Sequence, residues 1–176
     1  MKISDLCDIT RGEVMSKVYF QNNKGEYPVY SSQTLNNGCL GFINKYNFDG
    51  EYVNWTTDGA YAGTCFFRSG KFSITNVCGF LKVKNKQQLS TKFLFYVLNI
   101  MTKKYVNKGM GNPKLMSNVM SKILIPVPQL SKQNQIVNIL DKFSELTEDL
   151  SQGLPAEIKL RQQQYEYYRD KLLTFK

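Results

Sequence analysis

The sequence predicts an α+β fold: a compact, short-stranded β-rich domain with a buried helix, followed by a long C-terminal helical, coiled-coil-like region. Three observations carry this. Short β-like runs separated by Gly and Asn turns fill residues 27–83. A helix-period segment runs from Ser90 to about Met101. The stretch Ile125-Pro126-Val127-Pro128-Gln129-Leu130 then leads into apolar residues recurring at three- and four-residue steps.

Taken in order, residues 3–9 read as a short amphipathic opening ending at an Arg11-Gly12 turn. Residues 16–26 are polar, contain Asn22-Asn23-Lys24-Gly25, and read as a loop. Strand-like runs follow at Tyr27–Tyr30, Cys39–Ile43, Glu51–Trp55, Thr64–Phe67, Lys71–Thr75 and Cys78–Val83. Asn36-Asn37-Gly38, Asp49-Gly50, Asp58-Gly59 and Ser69-Gly70 punctuate them, which suggests an antiparallel or barrel-like sheet. Ser90 is placed to cap the next helix. Phe93, Val97 and Ile100 lie on one face of it and Leu94, Leu98 and Met101 on a second, so burial against the sheet is expected. A Gly- and Asn-rich loop, 107–114, and a short helix within Leu115–Met120 come next.

The two prolines fix φ and remove two backbone donors, so the junction is extended and non-helical. Ser131 stands where an N-cap belongs. Beyond it Ile136, Leu140, Phe143, Leu146 and Leu150 form an apolar stripe. Gly153-Leu154-Pro155 is expected to break the helix near 153–155, Gly suiting a C-terminal stop and Pro a first helical position. A second helix carries Ile158, Tyr165 and Leu172 at steps of seven, with Tyr168 beside them. The domains are thus residues 1–128 and 129–176.

Charge is unevenly placed. Residues 1–120 hold 15 Lys/Arg against 7 Asp/Glu, a balance of +8; residues 121–176 hold 8 against 7, a balance of +1. No acid occurs between Asp58 and Asp141, a span containing 12 Lys/Arg. An acid-free stretch confined to one module points to a polyanion partner. The sequence contains no histidine, which removes Ser-His and Cys-His nucleophile activation. Cys7, Cys39, Cys65 and Cys78 form no C-x-x-C pair and read as reduced packing thiols; no metal is expected. Residues 1–5 lack an apolar signal region and no run approaches membrane-spanning length, so a cytoplasmic location is expected.

Enzyme signatures are missing. Asn112-Pro113-Lys114-Leu115 lacks the second proline and the aromatic of an amino-methyltransferase loop. No phosphate-cradling G-x-x-x-x-G-K-[ST] is present. Glu157-Ile158-Lys159 falls on the expected helix and reads as surface charge.

Motifs along the whole chain resemble one repeat of the DNA-specificity (S) subunit of type I restriction–modification enzymes. They are Trp55-Thr56-Thr57-Asp58-Gly59-Ala60-Tyr61-Ala62-Gly63-Thr64, Gly70-Lys71-Phe72-Ser73-Ile74-Thr75-Asn76-Val77-Cys78-Gly79, Gly111-Asn112-Pro113-Lys114-Leu115, and the proline junction with Gln133 and Ile136. The resemblance implies a target-recognition domain over 1–128, followed by a helical spacer and dimerisation region over 129–176. The family usually carries two such repeats, so this chain looks like a half-subunit or one half of a longer protein. The resemblance implies a non-catalytic subunit whose two copies pair through their helices and read a bipartite duplex target. It further implies modification subunits that methylate adenine with adenosylmethionine and restriction subunits that cut with ATP, with no cofactor held by this chain.

Phosphate contacts call for Lys and Arg, and adenine edges suit Asn and Gln. Candidate DNA contacts are therefore Ser31, Ser32, Gln33, Thr34, Asn36, Asn37, Tyr61, Thr64, Arg68, Lys71, Asn76, Lys108, Asn112 and Lys114. Candidate pairing residues are Ile136, Leu140, Phe143, Leu146, Leu150, Ile158, Tyr165, Tyr168 and Leu172. The alternatives are a basic RNA- or single-strand-binding module whose Tyr and Phe stack on bases, and a helical assembly adaptor without sequence-specific binding. Turn chemistry alone is the plainer explanation for any single Asn-Gly loop.

Overall fold

The computed structural model describes residues 1–109 and 111–173, with side chains described through Glu145 and at scattered positions beyond it. Two compact units appear: Met1–Asn134, and a second beginning at Gln135. The first turn of the long helix therefore belongs with the first unit, six residues beyond the boundary expected from the prolines.

Eight strands build the first unit: β1 (Cys7–Arg11), β2 (Lys24–Tyr30), β3 (Cys39–Ile43), β4 (Phe48–Asp49), β5 (Tyr52–Thr56), β6 (Cys65–Arg68), β7 (Lys71–Ile74) and β8 (Cys78–Val83). They form two four-stranded sheets, β1-β8-β5-β6 and β3-β2-β7-β4, not one barrel. The first is antiparallel throughout; in the second, β2 and β7 run parallel. β5 is central and buried along its whole length, which explains its unbroken run of large residues. Tyr52, Cys78 and Phe80 from one sheet meet Phe72 and Ile74 from the other in a shared core. The Tyr52 ring stands edge-on to Phe80 (5.2 Å, 89°) and Phe72 (5.5 Å, 82°).

Two glycines are required by close approach. A Cβ on Gly79 would lie 2.1 Å from the Trp55 indole, and one on Gly12 would lie 2.2 Å from the Ile74 carbonyl oxygen. Gly12 is where the two sheets meet. Its N–H donates to Cys78 O, and the next residue's N–H donates to Ile74 O. Burial pushes the Cys7, Cys65 and Cys78 thiols up from 9.0 to about 12, so they stay neutral and act as packing groups.

Among the described residues there are five α-helices: α1 (Ile3–Leu6), α2 (Lys17–Asn22), α3 (Thr91–Met101), α4 (Ser117–Met120) and α5 (Leu130–Leu173), with short 3-10 turns at Leu35–Gly38 and Thr102–Tyr105. Several expectations are corrected here. The opening segment divides into α1 and β1, because β1 pairs in full with β8 through Arg11↔Gly79. The expected loop over 16–26 contains α2, which the Ser16 side chain caps by accepting from Tyr19 N at 3.1 Å; α2 buries no residue and so shows no apolar stripe. Ser90 does cap α3. α3 packs on β5 and β6 and buries Phe93, Leu94 and Leu98, while Ile100 is 73% exposed and leaves the core face. Ser131 lies inside α5, not at its cap: Lys132 N and Gln133 N both donate to Gln129 O, so the helix starts two residues earlier than a Ser131 cap would place it.

α5 also runs through Gly153-Leu154-Pro155, where a break was expected. A proline inside a helix removes one rung but can be carried by the turns on either side. Of the expected pairing stripe, Ile136 and Leu140 are half-buried and Phe143 is exposed; the side chains of Leu146, Leu150, Ile158, Tyr165, Tyr168 and Leu172 lie outside the described residues. Among the described residues no helix is long and apolar enough to cross a membrane.

The start of α5 is tied to the first unit by Gln133, which is fully buried. Its Nε2 donates to Pro128 O (2.7 Å) and Gln88 O (2.8 Å), and its Oε1 accepts from Ser90 N (2.9 Å). From the other side, Ile3 N donates to Ile123 O and Ile125 N to Met1 O.

Candidate nucleic-acid interface

Strand registry places several loops at one end of both sheets. Arg11↔Gly79, Thr56↔Cys78 and Trp55↔Cys65 set the ends of β1 and β5 and the starts of β6 and β8 together. Tyr30↔Ile74 sets the ends of β2 and β7 together. The segments leaving these ends are 31–38, 57–64 and 75–77.

Side chains then join the loops into one edge. Arg11 donates to Asn76 O (2.7 Å) and Thr57 Oγ1 (3.2 Å) and lies 3.7 Å from Asp58. The Thr57 hydroxyl donates to Asp58 Oδ2 at 2.6 Å. Thr75 Oγ1 donates to Ser31 Oγ at 3.1 Å, and Thr75 N donates to Tyr30 O. Lys114 Nζ lies 4.0 Å from Asp58; the Lys114 side chain is exposed and that of Asp58 is half-buried. A pair this long with an exposed lysine stabilises by only about 0–1 kcal/mol, less than the ~1.5–3 kcal/mol of a hydrogen bond to a charged group.

The loop 107–115, whose Met110 lies outside the described residues, is fastened to the same edge. Leu115 is fully buried, its N–H donates to Thr57 O, and its carbonyl accepts from the Trp55 indole N–H at 2.9 Å. Gly59 N donates to Pro113 O, and Asn107 and Lys114 pair with each other in both directions. Thr102, fully buried beyond the end of α3, places its Oγ1 2.7 Å from Gly63 O. That contact fixes loop 57–64 against α3, beside Lys103. A cavity of about 320 Å³ results, with Tyr61, Thr64, Lys103, Lys108 and Pro113 in its lining. A second of about 260 Å³ is lined by Asn107, Gly109, Gly111, Asn112 and Lys114. Tyr61 is 58% exposed at the mouth of the first.

Of the candidate contacts, Ser31, Tyr61, Thr64, Asn76, Lys108, Asn112 and Lys114 thus come from four separated segments to one edge. Ser32 and Thr34 are half-buried in the 31–38 segment. Gln33 turns inward and donates to Cys39 O. Asn36 and Asn37 are exposed at the tip of the same segment.

Two cations depart from expectation. Arg68 is only 2% exposed, with Nε donating to Asn54 Oδ1 (2.9 Å) and a terminal nitrogen donating to Asn37 O (2.7 Å). Its guanidinium stacks on the Tyr30 ring at 3.6 Å and burial lowers its pKa to about 10, so it is not available to a phosphate. Lys71 begins β7, three residues from Ile74 and hence about 10 Å from that edge. It sits 4.8 Å from the Tyr46 ring centroid, and that phenol raises its pKa. Lys86 is occupied by Glu51 at 2.9 Å. The acid-free span therefore does not map onto one face.

Sequence reasoning missed Arg11, Asp58, Lys103 and Asn107 as members of the edge. Arg11 was read only as a turn residue, because its partners lie 46 and 65 positions away. The available signal was Gly12, a residue that permits backbone contact where the sheets meet.

Residues 1–160 match the family model of the type I restriction modification DNA specificity domain. The chain is 47% identical over 174 residues to the type I restriction enzyme MpnII specificity subunit of Mycoplasma pneumoniae, covering 99% of this chain and 52% of that protein. It is 48% identical over 177 residues to the type I specificity subunit S.MpnORF289P N-terminus of the same organism, covering 98% of this chain and 94% of that sequence. The crystal structure of the type I restriction–modification S subunit from M. genitalium shares the fold, with a TM-score of 0.72 at 20% identity over 97% of this chain and 44% of that one. The chain thus spans about half the length of the MpnII subunit and less than half of the solved S subunit.

Proposed function

The chain belongs to the type I restriction modification DNA specificity domain family, and from that premise we propose that it is one non-catalytic recognition half that binds a short duplex half-site. The observation that carries the reading is the edge itself. Buried hydrogen bonds from Trp55 to Leu115 and from Thr102 to Gly63 fasten the segments that carry Lys103, Lys108, Lys114, Tyr61, Thr64 and Asn112 beside the strand ends, and Arg11 holds Asn76 there. Cations there engage phosphates and fix register, while hydroxyl and amide groups reach base edges.

The helical region pairs with a second copy, so that two edges read a bipartite target. Exposed apolar residues on α5 support this: Ile139 is 55% exposed, Leu154 54% and Leu160 61%. Modification subunits dock on the pair and supply the chemistry, and restriction subunits join them.

Lys108→Ala and Lys114→Ala test the edge. Each is expected to weaken binding to all duplexes alike and to reduce the slope of log affinity against log salt by about one. An unchanged slope removes phosphate contact from this edge. Higher affinity for single strands or RNA at equal salt would favour a stacking module around Tyr61 instead.

A further inference from the structure

The 31–38 segment is held with a firmness that its surface position does not require. Ser31 N donates to Gly38 O at 2.9 Å, and the Gln33 side chain donates to Cys39 O. Both Asn36 (φ 51°, ψ 40°) and Asn37 (φ 53°, ψ 33°) adopt the left-handed conformation, followed by Gly38 at φ 77°. Two consecutive left-handed residues bearing a Cβ are uncommon, and asparagine is among the few that tolerate the conformation. Their side chains face solvent, and the preceding Leu35 is 79% exposed.

The restraint comes from the core. Arg68 is almost fully buried, yet one of its hydrogen bonds goes to the backbone oxygen of Asn37, at 2.7 Å. Asn54 holds its Nε, Tyr30 and Phe66 flank its plane at 3.6 and 4.5 Å, and a Cβ on Gly38 would come within 3.0 Å of it. A buried guanidinium is costly unless its donors are satisfied. Here that costly group fixes the pitch of a surface turn. The turn is continuous with the proposed interface through the Thr75–Ser31 hydrogen bond and the shared ends of β2 and β7.

We propose that the Asn36-Asn37 turn reads an A·T pair in the major groove, with Arg68 as its positioning residue. An asparagine amide matches adenine N6 and N7, and an exposed leucine suits the thymine methyl. Arg68 touches no DNA; its fork sets the angle at which the two amides are offered. This rests on the duplex-binding reading above.

The test begins with the full chain, alone and with modification subunits, selecting duplexes from a random pool. The preferred duplex is then remade with 7-deazaadenine at each adenine in turn, which removes the N7 acceptor. Asn36→Gly and Asn37→Gly keep the left-handed turn and delete the amides. They are expected to lower affinity for the selected duplex roughly tenfold to a hundredfold, with unrelated duplexes and the melting temperature unchanged. One 7-deazaadenine position should weaken the parent protein by a similar factor and leave the glycine variants indifferent. Arg68→Lys should lose the same preference without altering the salt slope. Glycine variants that retain the full preference, or a parent protein insensitive to every 7-deazaadenine, overturn the assignment while leaving duplex recognition standing. A pool that yields no preferred sequence removes duplex recognition and this assignment together.

Discussion

Trp55 is fully buried, and its indole N–H is spent on the carbonyl of Leu115, 60 positions away. That single bond decides where the Asn112–Lys114 segment stands. Trp55→Phe keeps most of the apolar volume and leaves the Leu115 oxygen unpaired in the interior, at a cost of about 1–3 kcal/mol. Urea denaturation should register that loss, and duplex affinity should fall with it. A variant of parental stability and affinity would mean that the loop is held by other contacts. Arg68 teaches the converse. In the sequence it is one of 12 cations in an acid-free span, indistinguishable from Lys108 or Lys114. Only its placement between Tyr30 and Phe66 turns it from a phosphate contact into an internal brace. Burial of a charged residue leaves no mark on composition, so this distinction was not legible.

At the scale of elements, β3 and β8 lie where the strand-like runs and flanking turns put them, over Cys39–Ile43 and Cys78–Val83. β8 lies between β1 and β5 and buries five of its six residues, so its apolar run announces it, whereas β3 is an edge strand marked by the Asn-Gly turn before it. α2 did not, because a surface helix that buries nothing has no periodic face to read. β4 is two residues long and exists only as a partner to β7. The division of the strands into two sheets depends on the parallel β2–β7 pairing, which no local pattern encodes. α5 poses the sharpest disagreement, since Gly153 and Pro155 are ordinary stop and start residues and the helix passes through both. Replacing an interior proline by alanine relieves roughly 3 kcal/mol in a helix. Pro155→Ala should therefore raise helical circular dichroism and the thermal midpoint of the α5 signal. A variant that gains neither would restore a break at 153–155, where proline is already favourable.

At the scale of the whole molecule, the chain combines a basic body with a helical region of nearly balanced charge. A helix of 44 residues extends about 66 Å at 1.5 Å per residue, and apolar side chains remain exposed along it. Ile139 and Leu160 are separated by three heptads, the spacing of one coiled-coil position. Ile139→Asp combined with Leu160→Asp should convert a dimer to a monomer in sedimentation velocity, with affinity for a single half-site preserved. A parent protein already monomeric with its modification subunits present would end the proposed pairing. The most direct test of duplex reading by the strand-end edge is an anisotropy titration across a salt series, comparing the duplex preferred from a random pool with a scrambled duplex of equal composition. Sequence-specific recognition predicts a preference of roughly a thousandfold or more, the lower end of the range for specific over non-specific binding, that persists as salt rises, with both affinities falling together. Equal affinity for the two duplexes at every salt concentration would contradict it.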